Sequence, residues 1–241
     1  MIFKSTHSGF SLTELAIVLV IVSLLVGGLL IPFGAQNDAR MVAETQKTLN
    51  DIREALVGYA AAHGRLPCPT TSAGTSGTEA FSGTVGASAC SNSYDGYVPG
   101  QTLGIGPTDT TGIPIDAWGN KIRYAVTTAN TNAFTTTSGM KTIGIASLLP
   151  DLHVCTTAAG ISASACDTTA HTLTTEAVAI LFSTGKNTST GTDEAANLNG
   201  DQVFVSHEPA PADGGNEFDD VMIWLSPNIL YNRMIAAGQL P

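Results

Sequence analysis

Positively charged residues are scarce in this chain of 241 residues. Lysine and arginine together number 10 against 20 aspartate and glutamate residues, which gives a formal net charge of −10. Binding to nucleic-acid phosphates needs a basic stripe, and because the sequence has none we expect no nucleic-acid partner. Charged residues make up 12% of the chain and hydrophobic residues 43%, a composition that excludes an open, disordered chain.

Sequence patterns of common catalytic sites are also absent. The chain has no G-x-S-x-G elbow, no H-E-x-x-H helix and no P-loop. The adjacent acids Asp219 and Asp220 would point to opposite faces of a strand, so we do not expect them to act as an acid/base pair. The sequence therefore predicts that the protein is not an enzyme.

Long apolar stretches are missing except near the N-terminus, where residues 15–33 carry no charge. As a helix this run extends roughly 28 Å, close to the bilayer hydrocarbon thickness of about 30 Å. A secretory signal peptide has a shorter apolar core, and a buried core helix of this length is rare in water-soluble folds. We therefore predict a membrane-spanning helix over residues 10–33, with Lys4 on the cytoplasmic side.

The residues that precede this run form a distinctive pattern. Gly9-Phe10-Ser11-Leu12-Thr13-Glu14, followed by a long apolar helix, resembles the prepilin signature of type IV pilins and type II secretion pseudopilins. The resemblance implies that prepilin peptidase cleaves between Gly9 and Phe10, which removes residues 1–9 as a leader, and that the new N-terminal Phe10 is N-methylated. It also implies that Glu14 pairs with the terminal amine of a neighbouring subunit during assembly.

The same resemblance implies a function and a location. The chain would be a structural subunit of a type II secretion pseudopilus or a type IV pilus. Its partners would be prepilin peptidase, other pilin or pseudopilin subunits, an inner-membrane assembly platform and the lipid bilayer. It would first be a single-pass protein of the bacterial inner membrane and then part of a periplasmic or surface filament. The alternative is a minor pilin whose outer domain is a displayed binding or adhesion module.

Residues 34–64 predict that the helix continues beyond the apolar run as an amphipathic segment. One face repeats at steps of three and four residues, as expected for a helix with one buried side. Gly64 and Pro67 then predict where the helix ends. The residues of this face are Val42, Thr45, Leu49, Ile52, Leu56 and Tyr59.

Residues 65–241 are predicted to form an extracytoplasmic domain. Five segments are rich in β-branched residues and bounded by turn residues, which is typical of strands. A helix followed by several strands indicates an α+β, pilin-like fold: the long helix packs on an antiparallel β-sheet with long, disulfide-stapled loops. A short helix should close the chain between Ser226 and Gly238. The predicted strands are residues 121–128, 141–147, 177–184, 202–206 and 220–225.

A turn before the first of these strands carries a second resemblance. Asp116-Ala117-Trp118-Gly119-Asn120 is similar to the D-x-W-G-N turn of major type II secretion pseudopilins. The resemblance implies that Trp118 packs under the sheet, and we expect a structural role for it rather than a binding role.

Cysteine is scarce as well, and the four cysteines are Cys68, Cys90, Cys155 and Cys166. No C-x-x-C pair or histidine spacing indicates a zinc site. An even number of cysteines in an exported domain favours disulfides, for which three pairings are possible. We expect the two pairings between sequence neighbours, Cys68–Cys90 and Cys155–Cys166; four buried free thiols are the alternative.

Acidic and amide side chains cluster late in the chain. Calcium binds about six to eight oxygen ligands on flexible loops, and some major pseudopilins hold calcium in a loop at this point of the chain. A calcium site is therefore one interpretation, and a hydrated acidic surface is the other. We expect no other cofactor. The candidate calcium ligands are Asn197, Asn199, Asp201, Asp213, Glu217 and Asp219.

Overall fold

The computed structural model describes residues 11–71, 76–188, 191–210 and 216–241, without the side chains of residues 27–33 and 35. The expected cleavage site at Gly9 and Phe10 and the candidate ligand Asp213 lie outside these residues. Contacts divide the chain into two compact units, Met1–Met41 and Val42–Pro241. Among the residues described with their side chains, no helix combines the length and the apolar content that crossing a membrane requires.

The secondary structure runs from one long helix into short strands and helices. Two short 3₁₀ turns, Ile145–Ser147 and Thr169–His171, lie between these elements. In chain order the elements are α1 (Leu12–His63), β1 (Gly96–Tyr97), α2 (Gly100–Leu103), β2 (Arg123–Val126), α3 (Ala129–Asn132), α4 (Gly139–Ile143), β3 (Leu152–Cys155), β4 (Thr172–Ala177), β5 (Ala179–Ser183), α5 (Thr192–Ala196), β6 (Val203–Val205), β7 (Val221–Leu225) and α6 (Pro227–Ala236).

Helix α1 confirms the predicted long helix and its amphipathic face. It ends where Gly64 adopts a φ of +71°, a conformation that glycine enters without steric cost. In the second unit, the predicted face is the one that packs: Leu49, Ile52 and Leu56 are buried, and the hydroxyl-bearing Thr45 is buried with them. This face therefore forms part of the core of the globular unit.

Four strands form an antiparallel sheet in the order β1-β2-β5-β7. A second sheet, in the order β4-β3-β6, contains one parallel pair, β3 with β6. The predicted α+β fold is confirmed, and four of the five predicted strand segments contain β2, β5, β6 and β7. Helix α6 also forms as predicted, with Ser226 before its first turn, Pro227 at its start and Gly238 beyond its end.

The prediction of a strand over residues 141–147 is wrong, because this segment contains the end of α4 and a 3₁₀ turn. The β-branched content suggested a strand, but Gly144 has a φ of +79°, which an extended strand does not accommodate. The hydroxyl of Thr142 also donates to the carbonyl of Ser138 at 2.8 Å, one helical turn back. Local side-chain bonding therefore favours a helical turn here.

The strand β5 is buried on both faces, and this organises the core of the globular unit. Leu181 lies in a cluster with the buried face of α1, whereas Ile180 and Phe182 lie in a second cluster with Leu152 and Phe204 of the smaller sheet. Successive strand residues point to opposite faces, so the single segment contributes to both clusters. The main sheet is thus covered by α1 on one side and by the second sheet on the other.

Both expected disulfides are present. Cys68 bonds to Cys90, and Cys155 bonds to Cys166, with Cα–Cα distances of 5.3 and 5.6 Å. Each disulfide closes a loop with little apolar content. Each also joins two cysteines that are consecutive along the sequence, as predicted. In the chain-entropy view a loop of this size gains about 3 kcal/mol from its disulfide.

Candidate functional site

Glu14 lies in the first turn of α1 and closes a reciprocal hydrogen-bonded pair with Ser11. The backbone N–H of Ser11 donates to Glu14 Oε2 at 2.8 Å, and the backbone N–H of Glu14 donates to Ser11 Oγ at 3.2 Å. This arrangement is a capping box, which satisfies two amides that have no partner within the helix. The S-x-x-E spacing that encodes it is visible in the sequence, so Ser11 could have been singled out there.

The helix after this box exposes apolar side chains on every side. Residues 17–22 cover more than one full turn, and each of their side chains is about half exposed or more. An amphipathic helix would bury one of these faces. An apolar surface of this extent indicates contact with lipid or with other apolar helices. The exposed large residues are Leu12, Leu15, Ile17, Val18, Leu19, Val20, Ile21, Val22, Leu24, Leu25 and Val26.

A second candidate site lies in the globular unit, where three carboxylates meet. One oxygen from each of Glu194, Asp219 and Asp220 lies within 4.8 Å of the others. Glu194 comes from α5 and is fully buried, while the two aspartates precede β7. Because both aspartates precede β7, their side chains do not follow the alternation between opposite faces that holds within a strand. The prediction that Asp219 and Asp220 lie in a strand and point to its opposite faces is therefore wrong, whereas the expectation that they do not act as an acid/base pair stays a prediction.

Hydrogen bonds hold this carboxylate triad, defined as Glu194, Asp219 and Asp220, but within the described part of the chain two of its oxygens receive none. The N–H of Asp219 donates to Glu194 Oε1 at 2.8 Å, and the side-chain amide of Asn197 donates to Asp220 Oδ2 at 2.7 Å. Oδ1 of Asp219 and Oδ1 of Asp220 are buried and have no hydrogen-bond partner among the described residues. Buried oxygens of this kind require a compensating positive charge or proton.

Burial also raises the pKa values of the two aspartates of the triad. Burial raises the pKa of Asp220 to about 7; the hydrogen bond from Asn197 opposes this rise, and the charges of Glu194 and Asp219 add to it. Burial also raises the pKa of Asp219, against the backbone N–H of Lys186, which donates to its carboxylate. The fold thus places negative charge where it is poorly solvated.

Of the five candidate calcium ligands that the structure describes, Asp219 alone belongs to the triad. Asn197 lies beside it, with its amide group bonded to Asp220 and to the backbone of Val205. Asn199 and Asp201 bond to each other in a turn, with the amide of Asn199 donating to Asp201 at 2.8 Å.

The charge of Glu217 raises the pKa of Asp219, but Glu217 is not one of the three converging acids. The sequence reading missed Glu194 because its role depends on burial, which no local pattern reveals.

The turn at residues 116–120 has a structural role. The Asp116 carboxylate accepts hydrogen bonds from the N–H groups of Trp118 and Asn120 and from the hydroxyl of Ser183. The N–H of Ala117 donates to Thr45 of α1 at 3.2 Å. The turn therefore joins the long helix to the end of β5, and Trp118 packs against the main core cluster as expected.

Comparison with known proteins adds one finding that bears on the first site. No curated protein and no solved structure matches the chain significantly. A family profile described as the prokaryotic N-terminal methylation motif matches residues 4–30, a range that includes the capping box and the start of the apolar helix. Residues 4–30 therefore match the prokaryotic N-terminal methylation motif, which is the signature of type IV pilins and pseudopilins.

Proposed function

We propose that this protein is a pilin-like structural subunit that assembles into a type II secretion pseudopilus or a type IV pilus. One observation carries the proposal: the methylation motif leads directly into a helix whose apolar side chains are exposed on all sides. Such a helix is stable in lipid and can exchange lipid for identical helices in a filament. The motif also favours a structural subunit over an enzyme.

The maturation steps follow from the motif. Prepilin peptidase removes residues 1–9 by cleaving between Gly9 and Phe10, and Phe10 is then N-methylated. Before assembly, residues 10–33 hold the protein in the bacterial inner membrane with the N-terminus in the cytoplasm. The outer domain, residues 65–241, faces the periplasm, and an inner-membrane platform takes up the processed subunit together with other pilins.

Glu14 determines that a subunit assembles with processed copies of the chain. A carboxylate within the apolar layer costs a few kcal/mol unless a cation compensates it. The terminal amine of a second copy, created at Phe10 by the cleavage, supplies that cation. Assembly of processed chains is thereby favoured over assembly of unprocessed ones.

A minor pilin that displays a binding or adhesion module is the second candidate function. The observation that favours it is the second sheet, which covers the main sheet on the side opposite α1 and carries the Cys155–Cys166 loop. A filament core does not need this extra layer, whereas a displayed module does. Identification of the peptides in sheared filaments, with their copy number relative to other subunits, separates the two roles.

Processing is the direct test of the proposal. Mass spectrometry of the native protein should find a chain that begins at Phe10 with one added methyl group. Gly9→Ala should block cleavage, while Ser8→Ala, next to it, should not. A native chain that begins at Met1, carries no methyl group and remains monomeric in detergent contradicts the proposal.

We also propose that the carboxylate triad holds a divalent cation, with calcium as the favoured ion. The support is the pair of buried Oδ1 atoms of Asp219 and Asp220, which lie next to Glu194 and receive no hydrogen bond from any residue that the structure describes. Oxygen-rich sites with several carboxylates suit calcium. Thermal unfolding of the protein should shift upward with calcium relative to chelator, and an unchanged transition contradicts the proposal.

A further inference from the structure

Arg53 of α1 carries a positive charge that no described residue neutralises. Its side chain is partly buried, and its Nε atom is buried without a hydrogen-bond partner in the described part of the chain. The two Nη groups form no ion pair or hydrogen bond with described residues either, and because they are not among the buried atoms they reach the surface. The guanidinium is therefore an anchored cation whose outer donors are open to a carboxylate from outside the chain.

The acids next to Arg53 along the helix are engaged by other cations. Asp51 pairs with Lys47 at 2.7 Å, and Glu54 lies 3.5 Å from Arg233. The further arginine pairs of the second unit, Val42–Pro241, are Arg65–Glu79 and Arg123–Asp95. Among the described residues of this unit, Arg53 is thus the arginine that lacks a carboxylate partner.

Glu44 is the matching acid on the opposite side of the same helix. It is exposed, forms no ion pair with a described residue, and lies at the rim of a cleft of about 520 Å³ between α1 and residues 105–107 and 114–117. Arg53 follows Glu44 by nine residues, which is about two and a half helical turns and about 14 Å along the axis. The two charges therefore point away from opposite sides of α1, where one copy cannot pair them with each other.

We propose that Arg53 of one copy forms an ion pair with Glu44 of the next copy in the filament. This inference rests on the proposed function, because it requires subunits that assemble side by side through α1. Two different patches on opposite sides of one helix make a head-to-tail contact, which repeats without closing and builds a filament rather than a closed dimer. The pair also fixes the orientation of the incoming copy, since complementary charges meet in one arrangement only.

A charge-swap experiment with the full-length protein tests this pair. Sheared filaments and membranes are separated, and the processed protein in each is quantified by immunoblot. Arg53→Glu and Glu44→Arg each place like charges at the contact, so each should lower the filament fraction about fivefold. The double variant restores the pair with reversed signs in every copy and should return to within about twofold of wild type.

Two outcomes of the charge swap overturn the inference: a single variant that assembles like wild type, or a double variant that assembles no better than the single ones. Arg233→Glu is the matched control, because it reverses an exposed arginine that already has its partner, Glu54, in the same chain. It should assemble like wild type. A fivefold loss in this control shows that any reversed arginine disturbs assembly, which overturns the inference as well.

A second set of variants covers the case in which Arg53→Glu does not fold, as judged by thermal unfolding. Arg53→Gln and Glu44→Gln remove the two charges and keep the side chains polar. If the two residues pair, the combined variant should lose no more incorporation than either single variant. Additive losses overturn the inference.

An acid of the same chain is the alternative partner of Arg53. The residues of the second unit outside the described ranges contain one acid, Asp213, and no lysine or arginine. Asp213→Asn should therefore assemble like wild type. A loss in Asp213→Asn that Arg53→Gln does not increase places the partner within the chain and overturns the inference. Absence of the wild-type protein from the filament fraction is a distinct outcome, because it contradicts the proposed function itself and the inference with it.

Discussion

The guanidinium group of Arg65 forms a bidentate ion pair with the carboxylate of Glu79. Nη1 donates to Oε2 and Nη2 donates to Oε1, each at 2.7 Å. Both side chains are about one-tenth exposed. The guanidinium also lies over the rings of Tyr59 and Phe81, at 5.5 and 5.3 Å from their centroids. Glu79 accepts the N–H of Cys68 as well, so the pair links α1 to the loop closed by the first disulfide.

We predict that Glu79→Gln destabilises the outer domain by about 3–5 kcal/mol, because it leaves the Arg65 charge buried without its partner. Urea unfolding followed by circular dichroism measures the change. The matched control is Asp51→Asn, which breaks the exposed Lys47–Asp51 pair and should cost less than about 1 kcal/mol. Equal losses for the two variants contradict the role assigned to the buried pair.

Asp109 should make the free energy of unfolding depend on pH in the acidic range. Partial burial acts to raise the pKa of Asp109, but hydrogen bonds from the N–H groups of Ile113 and Thr111 and from the Thr111 hydroxyl lower it to about 2. Because the folded-state pKa lies below the ordinary value, the stabilisation is complete above about pH 4 and is lost as the pH falls towards 2.

Asp109→Asn should therefore lower the free energy of unfolding at pH 6, on the order of 1 kcal/mol after solvent screening, with the difference shrinking near pH 2. Thermal unfolding of both forms between pH 2 and pH 6 provides the measurement. A difference that stays constant across this range contradicts the assignment to Asp109.

The carboxylate triad predicts opposite effects of one substitution with and without calcium. Asp220→Asn removes a buried negative charge next to Glu194 and Asp219, so in chelator the variant should unfold at a higher temperature than wild type. With calcium, wild type should gain about 2.7 kcal/mol at a concentration one hundred times the dissociation constant, and the variant should gain little.

Asp201→Asn is the matched control for this experiment, since Asp201 lies in the turn with Asn199 and outside the triad. It should keep the full calcium response. If Asp201→Asn loses the stabilisation by calcium and Asp220→Asn keeps it, calcium binds at the turn, and the proposal that the triad binds it is contradicted.

Glu14→Leu should impair filament incorporation and leave membrane insertion intact. Leucine is favourable in lipid but offers nothing to the terminal amine of a second copy. Ser23→Leu is the control, because the Ser23 hydroxyl donates to the carbonyl of Val20 at 2.9 Å, within its own helix. The ratio of filament to membrane protein measures the effect; a wild-type ratio for Glu14→Leu contradicts pairing through this residue.

The sequence by itself determined the features that depend on near neighbours in the chain. The spacing of Leu49, Ile52 and Leu56 predicted the buried face of α1, because residues three and four apart share one side of a helix. Pro227 and Gly238 bounded α6 through their own backbone preferences. Each of the two disulfides joins cysteines that are consecutive along the sequence, because the ends of a short loop meet readily.

Only the tertiary structure decided the features that depend on distant segments. Ile180 and Phe182 are apolar in the sequence, but the sheet that covers them is built from strands elsewhere in the chain. Glu194 meets Asp220 across a chain separation that no helical or strand period spans. Periodicity reports which side of an element is apolar, whereas the convergence of three acids depends on how the elements pack, and that is set by the whole core at once.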